Sequence, residues 1–125
     1  LQDVGKAASG GELSRIMLCL KASMARFSKM PTLVFDEIDT GVSGSTADKM
    51  GALICRMGAD MQIVAITHLP QVAAKGSAHF LVSKEGGSTS MKLLNPQERI
   101  MEIARMLSGA VVSEAAVENA KNLLS

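Results

Sequence analysis

From Gly10 to about Ser28 the apolar residues Leu13, Ile16, Met17, Leu20, Met24 and Phe27 recur at steps of three and four. That is the spacing of one helical face, and it predicts a long amphipathic helix with those side chains turned inward. Ser9 and Glu12 form an S-x-x-E capping box at its start. The period then changes. Past Pro31, Thr32-Leu33-Val34-Phe35 reads as a strand apolar on both sides, as in the covered middle of a parallel sheet, and it ends abruptly in Asp36-Glu37. A loop over Ile38 to Gly44 leads into a second helix from about Ser45 to Gly58, with Ala47, Met50, Leu53, Ile54 and Met57 inward. A second strand is expected over Gln62 to Thr67. Strand, helix, strand implies a right-handed crossover and parallel pairing.

Leu69-Pro70 opens a short helix that Gly76 should stop. Phe80 to Ser83 and Ser90 to Leu94 flank Glu85-Gly86-Gly87-Ser88 and predict a hairpin at the sheet edge. Asn95-Pro96-Gln97-Glu98 is a second capped helix start, with Ile100, Ile103, Ala104 and Leu107 inward and Gly109 at its end. Ser113 caps a last helix with Val117, Ala120, Leu123 and Leu124 inward. The expectation is an α/β fold, a mainly parallel sheet with an edge hairpin and flanking helices, in a single partial domain over residues 1–125.

Composition narrows this picture. A chain of 125 residues supports one compact core. The formal net charge of +1 and the absence of a basic run give no electrostatic footprint for nucleic acid in this segment. With no Trp, no Tyr and three Phe, the core must be built from aliphatic side chains and the nine Met. Cys19 and Cys55 sit in apolar helical patterns without knuckle or redox spacing, and are expected as buried free thiols. No apolar stretch has the length to span a bilayer and the amino terminus is not signal-like, so a cytoplasmic protein is expected. The chain starts at Leu1 with a ligand-type loop close behind, as a piece of a longer protein would.

Three features carry chemistry. Ser9-Gly10-Gly11-Glu12 sets glycines and exposed amides at a helix start, where an anion is favoured; an ordinary capped helix reads the same way. Asp36 and Glu37 follow a strand, so they point in opposite directions. One can support Mg²⁺ through water while the other orients or deprotonates an attacking water; a solvated acidic turn is the plain alternative. His68 directly follows the second strand, and emerges at the same sheet edge as Glu37 if the strands pair in parallel. Taken alone it reads better as a cap of the short helix.

In this order the features resemble ABC-type ATPases, specifically the carboxyl-terminal half of an SMC-like ATPase head. Ser9-Gly10-Gly11-Glu12 is similar to the signature motif, Thr32 to Glu37 to Walker B, and His68 to the switch histidine. The extended runs Ala8 to Met17, Phe35 to Gly44 and Ile66 to Ala74 most resemble the RecN family of bacterial DNA repair proteins. The resemblance implies ATP and Mg²⁺ as cofactors. It makes Asp36 the Mg²⁺-supporting carboxylate, Glu37 the catalytic base and His68 the γ-phosphate sensor. Ser9, Gly10, Gly11 and Glu12 would belong to the signature that meets ATP of the opposite head. Many relatives carry an aspartate six residues beyond the catalytic glutamate, where this chain has Ser43. Asp39 and Ser43 therefore both stand as candidates for the contact across the dimer.

No G-x-x-x-x-G-K-[ST] run occurs in the sequence. The expected partners are therefore the amino-terminal half of the same head, a second head in an ATP-dependent homodimer, and DNA through the full-length protein. The implied function is ATP hydrolysis on head dimerisation in recombinational repair of double-strand breaks, at the bacterial nucleoid, with this fragment inactive alone. Lys6 and Arg15 read as solvated helix-end charges, while Lys75, Lys84, Lys92, Arg99 and His79 receive no functional role. Two alternatives stay open: the head of another SMC-like chromosome or repair ATPase, and a nucleotide-independent interaction module.

Overall fold

The computed structural model describes residues 10–28, 30–36, 38–109 and 111–125. Its elements in chain order are α1 (Gly10–Ser28), β1 (Thr32–Phe35), α2 (Ser45–Met57), β2 (Gln62–Ala65), α3 (Pro70–Ala73), β3 (Phe80–Glu85), β4 (Ser88–Leu93), α4 (Pro96–Ser108) and α5 (Glu114–Leu124). Contacts gather these into two compact units, residues 1–72 and 73–125.

In the first unit β1 pairs with β2 in parallel, with Thr32 opposite Gln62 and Phe35 opposite Ala65. This is the pairing the strand, helix, strand order predicts, with α2 as the crossover. The ladder runs one step further through the Ile66 amide, which donates to the Phe35 carbonyl at 2.8 Å. β2 itself stops at Ala65, short of Thr67, because Thr67 turns to side-chain partners described below. Leu33, Phe35, Ile63 and Ala65 face a core with Ala47, Met50, Ile54 and Met57 of α2, close to the expected inner stripe. The opposite face is uncovered: Val34 is 54% exposed and Val64 44%. The apolar run of β1 therefore has one face buried within this chain, where the sequence led to an expectation of two.

Helix α1 spans the expected residues but presents the other side. Leu18 is buried and Ala22 packs beside it, whereas Ile16, Met17, Leu20 and Met24 lie exposed. Lys21 adds its ammonium 5.7 Å from the Phe35 ring centroid, a cation–π contact. Periodicity finds an apolar stripe but does not say what covers it. The same reasoning explains the cysteines, since Cys19 and Cys55 are exposed rather than buried.

The second unit is closed by its own helices. Ile103 and Ala104 of α4 and Ala116 and Ala120 of α5 form its core with Ala74, while Leu107 is more exposed than its spacing implied. Asn95 caps α4 in a complete capping box with Glu98, with Pro96 at the first turn. Ser113 caps α5 by accepting from the Ala116 amide. β3 and β4 pair antiparallel from Phe80 opposite Leu93 to Glu85 opposite Ser88. Gly86 and Gly87 form the two-residue turn with φ of 55° and 85°, the positive values this tight hairpin demands. This hairpin makes a two-stranded sheet of its own rather than an edge of the parallel pair's sheet. Arg99, given no role from sequence, donates to the carbonyls of Ala73 at 3.3 Å, Ala74 at 2.9 Å and Gly76 at 2.5 Å. It satisfies carbonyls that the end of α3 leaves open.

Candidate functional site

The carboxyl ends of β1 and β2 lie side by side because the pair is parallel and in register. Asp36 follows Phe35 directly, continues on the exposed side of the strand, and has no hydrogen bond or ion pair among the described residues. Glu37, the expected base, lies outside the described residues, as do Ser9 of the signature and Lys6. Gly10 and Gly11 open α1, and Glu12 stands exposed in its first turn.

Beyond Asp36 the chain makes a tight turn in which the Val42 amide donates to the Asp39 carbonyl at 3.1 Å. Gly41 occupies its third position with φ 72°, where a side chain would be strained. Ile38 and Val42 are buried in the core on either side of Asp39. These two apolar anchors hold Asp39 itself at 2% exposure.

One carboxylate oxygen of Asp39, Oδ2, gathers three groups from the end of β2. The Thr67 hydroxyl donates to it at 2.5 Å and the His68 amide at 2.9 Å. His68 Nδ1 lies 3.2 Å away, although the imidazole is otherwise 71% exposed. Thr67 Oγ1 in turn accepts from the Leu69 amide at 3.0 Å. Burial alone would raise the pKa of Asp39, but the Thr67 and His68 hydrogen bonds and the His68 charge together hold it below the ordinary carboxylate value.

The structure thus brings Asp36, Asp39 and His68 to one strand edge. Of the two candidates for a contact across a dimer, Ser43 is exposed and Asp39 is turned inward on Thr67 and His68. Sequence reasoning gave Thr67 no role, although a hydroxyl placed directly before a strand-end histidine was the available signal.

No group of three or more His, Cys, Asp or Glu among the described residues forms a metal cage. A single free carboxylate beside an open edge fits Mg²⁺, which keeps much of its water and takes its remaining ligands from phosphates. A cleft of about 590 Å³ lies elsewhere, in the second unit, near Ala78, His79 and Arg99. Burial and the Arg99 charge push His79 below the usual histidine value against the opposing pull of Glu102. The Nδ1 of His79 and Nε of Arg99 have no hydrogen-bond partner. The cleft is lined by none of the strand-edge carboxylates.

Solved structures define the class. The fold superposes with a TM-score of 0.72 on a structure from work on ATP-driven dimerization and DNA-stimulated activation of SMC ATPases, at 21% identity over 85% of this chain and 66% of the other. On an Smc head domain with coiled coil and joint from Pyrococcus yayanosii the TM-score is 0.70, at 25% identity over 78% of this chain and 19% of that one. This is the α/β fold of an SMC-type ATPase head.

The particular relationship comes from sequence: the chain is homologous over nearly its whole length to the DNA repair protein RecN. It is 45% identical over 127 residues to RecN of Rickettsia bellii, covering 97% of this chain and 23% of the relative. Against RecN of Vibrio cholerae it is 42% identical over 128 residues, covering 99% of this chain and 23% of the relative. The chain therefore spans under a quarter of the length of these relatives. No family model matches it. No helix among the described residues is long and apolar enough to cross a membrane.

Proposed function

We propose that this chain is the carboxyl-terminal, signature- and Walker B-bearing part of a RecN-like ATPase head, which hydrolyses ATP when two heads join during repair of DNA double-strand breaks. The observation that carries the reading is the parallel β1–β2 pair, which sets Asp36 and His68 at one carboxyl edge with Asp39 tying the two strand ends together. Ligands of open α/β sheets bind at such edges.

Asp36 would hold Mg²⁺ there, and the ion would supply positive charge against the phosphate oxygens. Glu37 orients the attacking water and takes its proton, and His68 turns its free edge toward the γ-phosphate. Ser9, Gly10, Gly11 and Glu12 at the start of α1 meet the nucleotide of the opposite head, with amide donors and helix dipole favouring its negative charge. Ser43, exposed in the loop before α2, is the residue free to touch that head. The grip on the α- and β-phosphates comes from a phosphate loop in the amino-terminal half, so this segment does not turn over ATP unaided. Such a protein works in the cytoplasm, on nucleoid DNA.

The test is Mg²⁺-dependent ATP turnover by a full-length protein carrying this sequence. Glu37→Gln is expected to lower turnover by at least about a hundredfold while nucleotide-stabilised dimers persist in sedimentation or light scattering. Normal turnover in that variant overturns Glu37 as the base. If the wild-type protein binds no nucleotide at all, an interaction module is the better reading.

A further inference from the structure

Asp39 is an anion bought at some cost, because a buried carboxylate is retained only when donors replace its lost water. The other buried acid among the described residues, Glu102, is paired within its own helix with Arg105. Asp39 instead reaches across to the neighbouring strand end, and both of its hydrogen-bond donors there come from two consecutive residues, Thr67 and His68. His68 meets the same oxygen twice, by its backbone amide at 2.9 Å and by Nδ1 of its ring, 3.2 Å away. An exposed imidazole is ordinarily free to change rotamer, but this one lies against a buried carboxylate that its own backbone also binds.

We propose that Asp39 is the positioning residue of His68: it fixes the ring's direction and keeps a proton on Nδ1, leaving Nε2 at the strand edge, where it donates to a phosphate oxygen once the ring is doubly protonated. A carboxylate oxygen facing Nδ1 selects the tautomer with the proton on that nitrogen. The Thr67 hydroxyl, spent on Asp39, presents its lone pair to the Leu69 amide and extends the clamp into the following turn. Ile38 and Val42 keep the carboxylate from following the ring outward. The loop after β1 and the segment after β2 are thereby joined by one oxygen atom.

The consequence for catalysis rests on the ATPase reading above, whereas the tautomer does not, and the experiment separates them. Long-range proton–nitrogen correlation spectra of this chain with ¹⁵N-labelled histidine report the protonated nitrogen of each ring. The sequence holds two histidines, and a His79→Gln background assigns His68. The expected wild-type spectrum shows Nδ1–H, and Asp39→Asn shifts it toward Nε2–H. In the full-length protein Asp39→Asn should lower kcat roughly ten- to hundredfold with KM for ATP little changed. His68→Ala should do the same, and the double variant should add nothing further.

An Nε2–H ring in the wild type, or a tautomer or kcat untouched by Asp39→Asn, overturns the proposal. If Asp39→Asn fails to fold by circular dichroism, Thr67→Val carries the test, because it removes one donor and keeps the side-chain shape. It should shift the ring the same way by a smaller amount, and an unchanged ring overturns the proposal. A wild-type Nδ1–H ring in a protein without ATP turnover overturns the ATPase reading and leaves Asp39 as the group that orients His68.

Discussion

The two units bury their charged groups for different ends. In the second, Glu102 pairs with Arg105 one turn along the same helix, and the core between α4 and α5 is Ile103, Ala104, Ala116 and Ala120. Polar atoms there serve helix ends: Asn95, Ser113 and Arg99 all satisfy backbone groups. In the first unit a buried carboxylate bridges two strand ends and holds an exposed histidine, while Val34, Val64 and the stripe from Ile16 to Met24 face outward. One unit spends its sequence on closing a core. The other leaves apolar faces uncovered and fixes an edge.

The largest effect that would break this comparison is in the scaffold. Ile103 is fully buried, so Ile103→Ala removes packed methyl groups and leaves a cavity among small neighbours that cannot collapse into it. A loss of about 2–5 kcal/mol in unfolding free energy is expected from urea or thermal denaturation. A loss under 1 kcal/mol would mean that the α4–α5 core is not what stabilises that unit.

Removing a cap has a smaller effect and tests the same division. Asn95→Ala deletes the acceptor for the Glu98 amide, at 2.9 Å, and one half of the capping box. About 1 kcal/mol should be lost, with hydrogen exchange accelerated at the first turn of α4. Exchange unaltered there would show that Pro96 alone sets the helix start.

How much of this was legible follows the same division. The caps at Asn95 and Ser113, the turn at Gly86-Gly87 and the inner face of α2 could be read directly, because each depends on residues within a few positions of one another. The parallel pairing of β1 with β2 followed from element order. The orientation of α1 did not, since Ile16, Met17, Leu20 and Met24 form a real apolar stripe that this chain does not cover. The uncovered side of β1 escaped for the same reason. At the site, the strand-end carboxylates and histidine were visible as a pattern. The bond between Asp39 and the Thr67-His68 pair was not, because it joins residues 28 and 29 positions apart through side chains whose local context is unremarkable.

The smallest effect is confined to that bond and follows from the sign of Asp39's shift. Its folded pKa lies below the ordinary value of an aspartate, since hydrogen bonds from Thr67 and His68 and the His68 charge outweigh the opposing pull of burial. The carboxylate therefore contributes its stabilisation in full above that value and loses it as pH falls through the lower, folded pKa. Below that folded pKa the His68 and Leu69 amides should lose protection, since a protonated Asp39 no longer draws in the Thr67 hydroxyl and His68 amide as an anion does. The matching amides of α4 serve as the internal reference, read in the same acid titration by amide shifts and exchange. In Asp39→Asn the acid step at His68 should vanish. If it persists, the anion holding that strand end is a different group, and the working edge of the first unit is built on something other than Asp39.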